Sequence, residues 1–402
     1  MMDRCGPELE TGDGSGPGYW RATFSALCAL LVGIGLARFA YTPLLPALVT
    51  EGWFSASQAA YLGAANLAGY LAGALLARNI AARTSTRFAL RAGMALASVA
   101  LFACAAPWSF LWFFIWRFTA GLSGGVLMVL AAPTVLPFVP AHRLGLAGGV
   151  IFTGVALGIA ISGTLVPVTL DLGLMETWVC LGALAVLLTA LSWHGWPVTV
   201  TDRKSTKTLL PAASPALKSL YLEYGLNAFG LVPHMVFLVV FIAQGLEQGL
   251  TVGAHYWVLF GLGAVIGPVT VGYLADRVGF LRALRLGYGL QAIFVGALIF
   301  TDQTIVLVLS SLIMGAFVPA STTLVLGRLR ELLAHDPAGQ TGGWRLATIA
   351  FAVGQAAGAY GLSFLFDLGG DYTLLFGIGG AMLLLSLGLN LVAGRLTSPK
   401  GP

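Results

Sequence analysis

Residues 35–43 read GLARFAYTP, and residues 225–233 read GLNAFGLVP. Gly35, Leu36, Phe39 and Pro43 match Gly225, Leu226, Phe229 and Pro233 at an offset of 190 residues. Two further pairs keep the same order. Gly154-x-x-x-Gly158 returns as Gly354-x-x-x-Gly358 at an offset of 200, and GALLAR at 73–78 answers GYLADR at 272–277 at an offset of 199. With 53 glycines in the chain any one match is within reach of chance, but three in one order indicate a single unit used twice.

Composition says what the unit is made of. The chain has 402 residues, 58% hydrophobic and 9% charged, against roughly 25% charged residues in an ordinary soluble domain. That excludes a soluble globular protein and indicates an integral membrane protein. A spanning helix needs about 20 apolar residues, whereas a membrane barrel shows short alternating segments. The pattern here is helical. Apolar runs separated by charge or turn residues fall at 22–49, 56–77, 86–106, 108–138, 144–170, 175–196, 217–243, 250–275, 281–301, 303–327, 343–366 and 372–394. These twelve spans predict two six-helix bundles, 21–197 and 217–396, joined by a linker at 198–216 and flanked by tails at 1–20 and 397–402. The first tail, with GPELETGDGSGPG, lacks the means to build a core. No short apolar region with a small-residue cleavage site precedes the first span, so no cleaved leader is expected.

Charge sets the orientation. With the N-terminus inside, every Lys and Arg except Arg38 and Arg117 falls on a cytoplasmic segment, while the external loops hold only acids: Glu51, Asp171, Glu176, Glu247, Asp302, Asp367 and Asp371. One missed span would scramble so lopsided a division. Both termini are therefore predicted to be cytoplasmic, in a bacterial inner-membrane type of location. The net charge of +5 follows from this topology, so the basic balance gives no reason to expect a nucleic-acid partner. The cysteines Cys5, Cys28, Cys104 and Cys180 show no metal or redox spacing and are expected to be reduced packing residues. Parallel halves of this kind suit a carrier that rocks about a site near the bilayer midplane.

Several stretches carry a resemblance to a known family. Gly272-Tyr-Leu-Ala-Asp276-Arg277-Val-Gly279, followed by Arg282 and Arg285, resembles the cytoplasmic signature of the major facilitator superfamily, and RFTAGLSGG at 117–125 resembles its fourth-helix signature. The whole chain, with GIGLARFAYTPLLP in its first span, is similar to the YbfB/YjiJ-type branch. The first-half copy departs from the signature, with Ala77 where Asp276 stands and Ile80 where Gly279 stands. The resemblance implies that spans 1, 4, 7 and 10 line a central cavity. It also implies that Gly272, Asp276, Arg277 and Gly279 form a conformational latch, Asp276 meeting the start of span 11 near Thr341 and Arg345. The alternative is an interfacial Asp-Arg pair with no latching role. An aspartate at the inner end of its own helix meets an unfavourable dipole, which favours a partner on another helix.

Arg38 lies about 24 Å along the first span and Arg117 about 14 Å from the outer face, so the two share a level. A charge at the bilayer centre costs from about 2.5 to about 17 kcal/mol, so it is seldom idle. No acid lies in the interior of any span of that half, Glu176 standing at the outer end of its own. Two guanidiniums without a counter-ion suggest a substrate bearing carboxylate or phosphate. Arg117 has a structural alternative, bonding carbonyls freed near Pro43 and Pro46. Tyr41 and Asn227 complete the candidate substrate-binding set, and Asn66, Gln291 and Gln355 are further polar groups able to bond a ligand or another helix. Glu223 and His234 on span 7 are the candidates for carrying a coupling proton.

Helix 5 reads GVALGIAISGTL from Gly154 and resembles the exporter signature of the superfamily, with Ile159 replacing its proline and Ser162 one glycine. Export by antiport is thus the expectation and proton-linked import the alternative. A membrane-embedded enzyme is the remote reading: the histidines His142, His194, His234, His255 and His335 are scattered and form no His-Glu-x-x-His. No ATP-binding motif is present, so a gradient must supply the energy. The expected partners are a small solute, protons and lipid; no cofactor, metal, nucleic acid or obligatory protein partner is implied.

Overall fold

In hydrocarbon each backbone N–H and C=O must find an internal partner, so apolar runs of this length become helices. The computed structural model describes residues 18–140, 144–197 and 214–397, and no strand occurs among them. Most of the expected tails, most of the linker and Arg143 lie outside the described residues, while residues 18–20 of the first tail and Thr397 of the second are helical. The helices of the first half are α1 Gly18–Thr50, α2 Ala56–Arg83, α3 Thr86–Ala103, α4 Phe110–Val135, α5 Leu144–Leu170 and α6 Leu174–Ser192. Those of the second are α7 Pro215–Gly245, α8 Leu250–Val278, α9 Phe280–Ala297, α10 Thr304–Leu332, α11 Pro337–Gly369 and α12 Tyr372–Thr397. Eleven are long and apolar enough to cross a bilayer. The twelfth, α9, has 18 residues, a rise of about 27 Å. Arg282 and Arg285 near its start lower its apolar character.

Three helices outrun their apolar cores. Helix α2 continues to Arg83 instead of ending near 77, and α10 to Leu332 instead of 327. Their added turns carry Arg78, Arg83, Arg328 and Arg330, side chains that reach water while the backbone stays helical. Helix α11 begins at Pro337, a turn and a half before the expected 343 and ahead of Thr341. Its glycine-rich opening conceals a regular start: the Asp336 carboxylate accepts from the Gly339 N–H at 2.8 Å, and Pro337 occupies the first turn, where its missing N–H costs nothing.

The repeated glycines mark helix crossings inside each half. Lipid supplies no hydrophobic drive between helices, so close backbone approach must supply the attraction. A Cβ on Gly158 of α5 would stand 2.0 Å from the Gly35 Cα of α1, and one on Gly154 would stand 2.3 Å from the Leu27 carbonyl. In the second half a Cβ on Gly354 of α11 would stand 1.9 Å from the Gly225 carbonyl of α7. The same equivalence joins α2 with α4 and α8 with α10: a Cβ on Gly121 would strike the Asn66 carbonyl at 1.8 Å, and one on Gly315 the Phe260 carbonyl at 1.9 Å. Matched crossings of this kind make the two bundles pseudo-symmetric.

The symmetry fails where α1 and α7 lose regular α-helical winding. Helix α1 widens to π-helix over Leu31–Phe39, before its shared proline; α7 widens over Pro233–Phe237 and Phe241–Gly245, from that proline onward. Such bulges cluster at functional sites in helices.

After twelve crossings α1 starts and α12 ends at one face, called here the terminal face. The halves meet mainly towards the opposite face. There the Thr42 hydroxyl donates to the Met235 carbonyl at 2.6 Å, Trp257 Nε1 to Ser162 Oγ at 3.0 Å, and Gln244 Nε2 to the Pro46 carbonyl at 3.4 Å. Tyr61 and Tyr360 bring their rings within 6.5 Å, and Phe39 lies 6.1 Å from Trp257. Replacing Gly354 by Val forces α7 and α11 apart and should cost about 1–3 kcal/mol. A lower melting temperature of the purified protein is expected, and an unchanged one would contradict the crossing.

Candidate functional site

Between the halves, near the middle of the helices, lies a cavity of about 50 Å³. Helices α1, α2, α4, α5, α7, α10 and α11 all reach it, through Arg38, Tyr70, Met128, Phe152, Met235, Thr322 and Gln355 among others. Its wall is chiefly apolar and aromatic, with a single cation. Open small-molecule pockets measure roughly 300–1,000 Å³, so this conformation leaves room for a functional group or a few waters. A larger groove of about 590 Å³ lies elsewhere, between α3 and α6 around Phe102, Val186 and Trp193, and is almost wholly apolar. Four of its side chains, Val99, Phe102, Val186 and Trp193, stand among the exposed hydrophobics, as expected of a surface turned to lipid.

Arg38 is the cation of the central cavity. It is partly buried, lies over the rings of Phe39 at 5.2 Å and Tyr70 at 5.5 Å, and directs Nη2 to the Met235 sulfur at 3.8 Å. Thioether and ring faces are weak partners for a guanidinium, which has five N–H donors. No carboxylate is paired with it; among the described residues the ion pair is Arg328 with Glu331 on α10.

Arg117 was expected to face the same space, and the structure places it elsewhere. It is 1% exposed and does not line the cavity. Nη1 donates to the Ala37 carbonyl at 2.7 Å and the guanidinium lies 4.2 Å from the centre of the Tyr41 ring. The reason is the widened turn of α1 over Leu31–Phe39, which contains Ala37 and loosens its carbonyl from the regular α-helical ladder. A carbonyl so exposed needs another donor, and Arg117 provides one. Asn66 supports it, its Nδ2 donating to the Arg117 carbonyl at 3.1 Å and the Ala37 carbonyl at 3.4 Å. The two arginines share a level, since Arg117 bonds the carbonyl of the residue before Arg38. Tyr41 is likewise internal, its hydroxyl donating to the Ala59 carbonyl at 2.7 Å.

Three polar groups of α7, Asn227, His234 and Glu223, face into their own half. Asn227 Nδ2 donates to Gln291 Oε1 at 2.9 Å, away from the cavity. His234 Nε2 meets Ser310 Oγ at 2.7 Å, and that hydroxyl donates to the Phe294 carbonyl at 2.8 Å. The histidine must then be the donor, protonated on Nε2, tying α7 to α10. Glu223, 2% exposed, accepts from Ser219 at 2.7 Å and from Asn390 Nδ2 at 2.8 Å.

At the terminal face Gly279, with φ +85°, forms the one-residue turn from α8 to α9. Such a φ suits glycine and accounts for its place after Asp276-Arg277. Arg277 bonds the Tyr273 hydroxyl one turn back and lies 4.3 Å from that ring, so it stays on its own helix. A Cβ on Gly272 would meet nothing within 4 Å. The side chains of Asp276 and Thr341 lie outside the described residues. The N-terminus of α11, the expected partner of Asp276, already has the Asp336 carboxylate as its cap.

Sequence reasoning missed the contacts between halves. Ser162, noted only as a departure from a glycine pattern, receives Trp257, and Met235 receives Thr42 and Arg38. A lone Met or Trp in an apolar helix carries no signal for this.

The profile of the family described as uncharacterised MFS-type transporter YbfB matches residues 30–391. The chain belongs to this family of the major facilitator superfamily. The crystal structure of a D-xylose-proton symporter superposes on this MFS chain with a TM-score of 0.72 at 16% identity, covering 93% of this chain and 97% of that one. Identity this low establishes the shared MFS fold. Among curated proteins none matches the sequence. The fold and family make the protein a multi-pass membrane transporter.

Arg117→Ala should leave the Ala37 carbonyl without its charged donor and destabilise the protein by about 1.5–3 kcal/mol. The melting temperature and the monodisperse fraction after detergent extraction check it, and wild-type values for both would contradict the structural role.

Proposed function

We propose that this protein is a proton-coupled secondary transporter of a small solute bearing an anionic group, and that Arg38 holds that group. The observation that carries the reading is a partly exposed guanidinium in a mid-membrane cavity between two bundles, with no carboxylate against it among the described residues. A cation in that position is costly unless something neutralises it, and a carboxylate or phosphate can do so through two parallel hydrogen bonds. Gln355 adds a complementary group: it lines the cavity, and its Oε1 has no hydrogen-bond partner. A solute with an anionic end and an N–H or O–H donor would satisfy both. The apolar remainder of the wall, with Met128 and Met235 as adaptable surfaces, suits a compact organic anion.

The cavity is too small for such a solute as it stands. Binding would require the halves to separate, and parallel halves about a midplane site are the arrangement that rocks. The contacts nearer the opposite face would part when the cavity turns to that side. The exporter-like stretch of α5 favours outward movement against protons, and its Gly154 and Gly158 carry α5 against the widened α1. Import with protons is the alternative outcome of the same experiment.

A thermal-shift screen of purified protein against a metabolite library, at about pH 6 and about pH 8, should return organic anions. Proteoliposomes then test each hit under an imposed pH gradient. Arg38→Ala is expected to abolish both the shift and the transport while its own melting temperature stays within a few degrees, because the contacts it loses are two ring faces and a thioether sulfur. Retained transport of every hit by Arg38→Ala would remove this residue from the site.

A further inference from the structure

Buried in the second half, apart from the cavity, is a connected set of polar groups with Glu223 at its centre. Arg285 on α9 donates Nε to Asn390 Oδ1 of α12 at 2.9 Å. Arginine can only donate, so Asn390 must present its oxygen to Arg285 and its NH2 to Glu223. Glu223 Oε2 is thereby fixed as an acceptor, at 2.8 Å from Nδ2. Oε1 differs, because its partner is the Ser219 hydroxyl at 2.7 Å, a rotor able to donate or accept. A proton can therefore be added at Oε1 by reversing one hydrogen bond, with the other left intact.

We propose that Glu223 is the proton-binding group of this transporter, taking the proton on Oε1, and that Asn390 and Arg285 are the residues that position it. Glu223 is eight residues into α7, about 12 Å from the terminal face, a short distance for proton delivery. Every element packed around it is accounted for. Helix α12 contributes Asn390 and Ser386, whose hydroxyl donates to the Glu223 carbonyl at 3.2 Å. Helix α9 contributes Arg285 and Tyr288, and α10 contributes Arg328, which is within electrostatic reach and also paired with Glu331. Helix α11 packs on this part of α7 through Gly354 and Ala350, which hold no charge.

A second observation points from Glu223 to the cavity. The Tyr288 hydroxyl, 1% exposed, has no hydrogen-bond partner. A buried polar atom so placed calls for a water or a transient partner. Tyr288 is within electrostatic reach of both Glu223 and Tyr224, and Tyr224 shares a 3.0 Å hydrogen bond with Thr322, which lines the cavity beside Arg38. In the step itself a hydronium ion at the terminal face gives its proton to Oε1. One O–H bond forms, water remains, and the Ser219 hydroxyl turns from donor to acceptor. Neutral Glu223 no longer balances Arg285 and Arg328, which alters the pull between α7 and helices α9 and α10. His234 has no part in this.

The inference rests on the proposed proton-coupled transport, but its experiment reads the proton alone. Infrared difference spectra of the full chain in lipid nanodiscs, taken between about pH 5 and about pH 9, should show the carbonyl band of one protonated carboxyl. Glu223→Gln should lose the band, Asn390→Ala should shift it, and His234→Gln should leave it in place. If Glu223→Gln does not fold, Glu223→Asp should move the band. Persistence of the wild-type band in Glu223→Gln, an unmoved band in Glu223→Asp, or no band in the wild type would overturn the assignment. A band lost on Glu223→Gln in a protein that moves no solute would support the proton site and count against the transport reading only.

Discussion

The hydrogen bond from Arg117 to the Ala37 carbonyl is the constraint on which the mid-membrane architecture depends. Helix α1 departs from regular α-helical winding over Leu31–Phe39, and hydrocarbon offers no water to satisfy the groups this exposes. A guanidinium at 2.7 Å, backed by Asn66 on α2 and covered by the Tyr41 ring, lets the widened segment Leu31–Phe39 persist. That segment sets the direction of Arg38. The two arginines of the first half therefore divide the work: one is used up inside the bundle so that the other can face the space between bundles.

The same economy of close approach builds the frame around them. Glycines on α5 and α11 bring their helices onto α1 and α7, and glycines on α4 and α10 do so for α2 and α8. Two similar frames result, and they meet through a few contacts set towards one face: Thr42 on Met235, Trp257 on Ser162, Tyr61 beside Tyr360. Rigid halves with a thin seam can tilt against each other without breaking internal hydrogen bonds. A narrow cavity just below that seam is where tilting changes volume most.

Much of this was legible in the sequence. The repeats, the twelve spans and the charge division came from periodicity and sign, which long apolar helices express strongly. Arg38 and Arg117 stood out because charge is scarce in such helices. What sequence could not do was separate them, since the difference lies in which carbonyl of α1 is exposed, a matter of local winding. Asn390 escaped notice because an asparagine in α12 gains meaning only when Arg285 fixes one end of its amide and Glu223 the other. The start of α11 was misplaced although Asp336-Pro337 is a readable helix opening, because the glycines after it resemble a loop.

The central claim is that two rigid halves part and close around the Arg38 cavity. Spin labels at positions 61 and 360, one on each half beside the seam, measure this by pulsed electron resonance distance distributions. The account predicts a short separation in this conformation and a second, longer population that grows when pH or an organic-anion ligand is changed. A single short separation under every condition would contradict it.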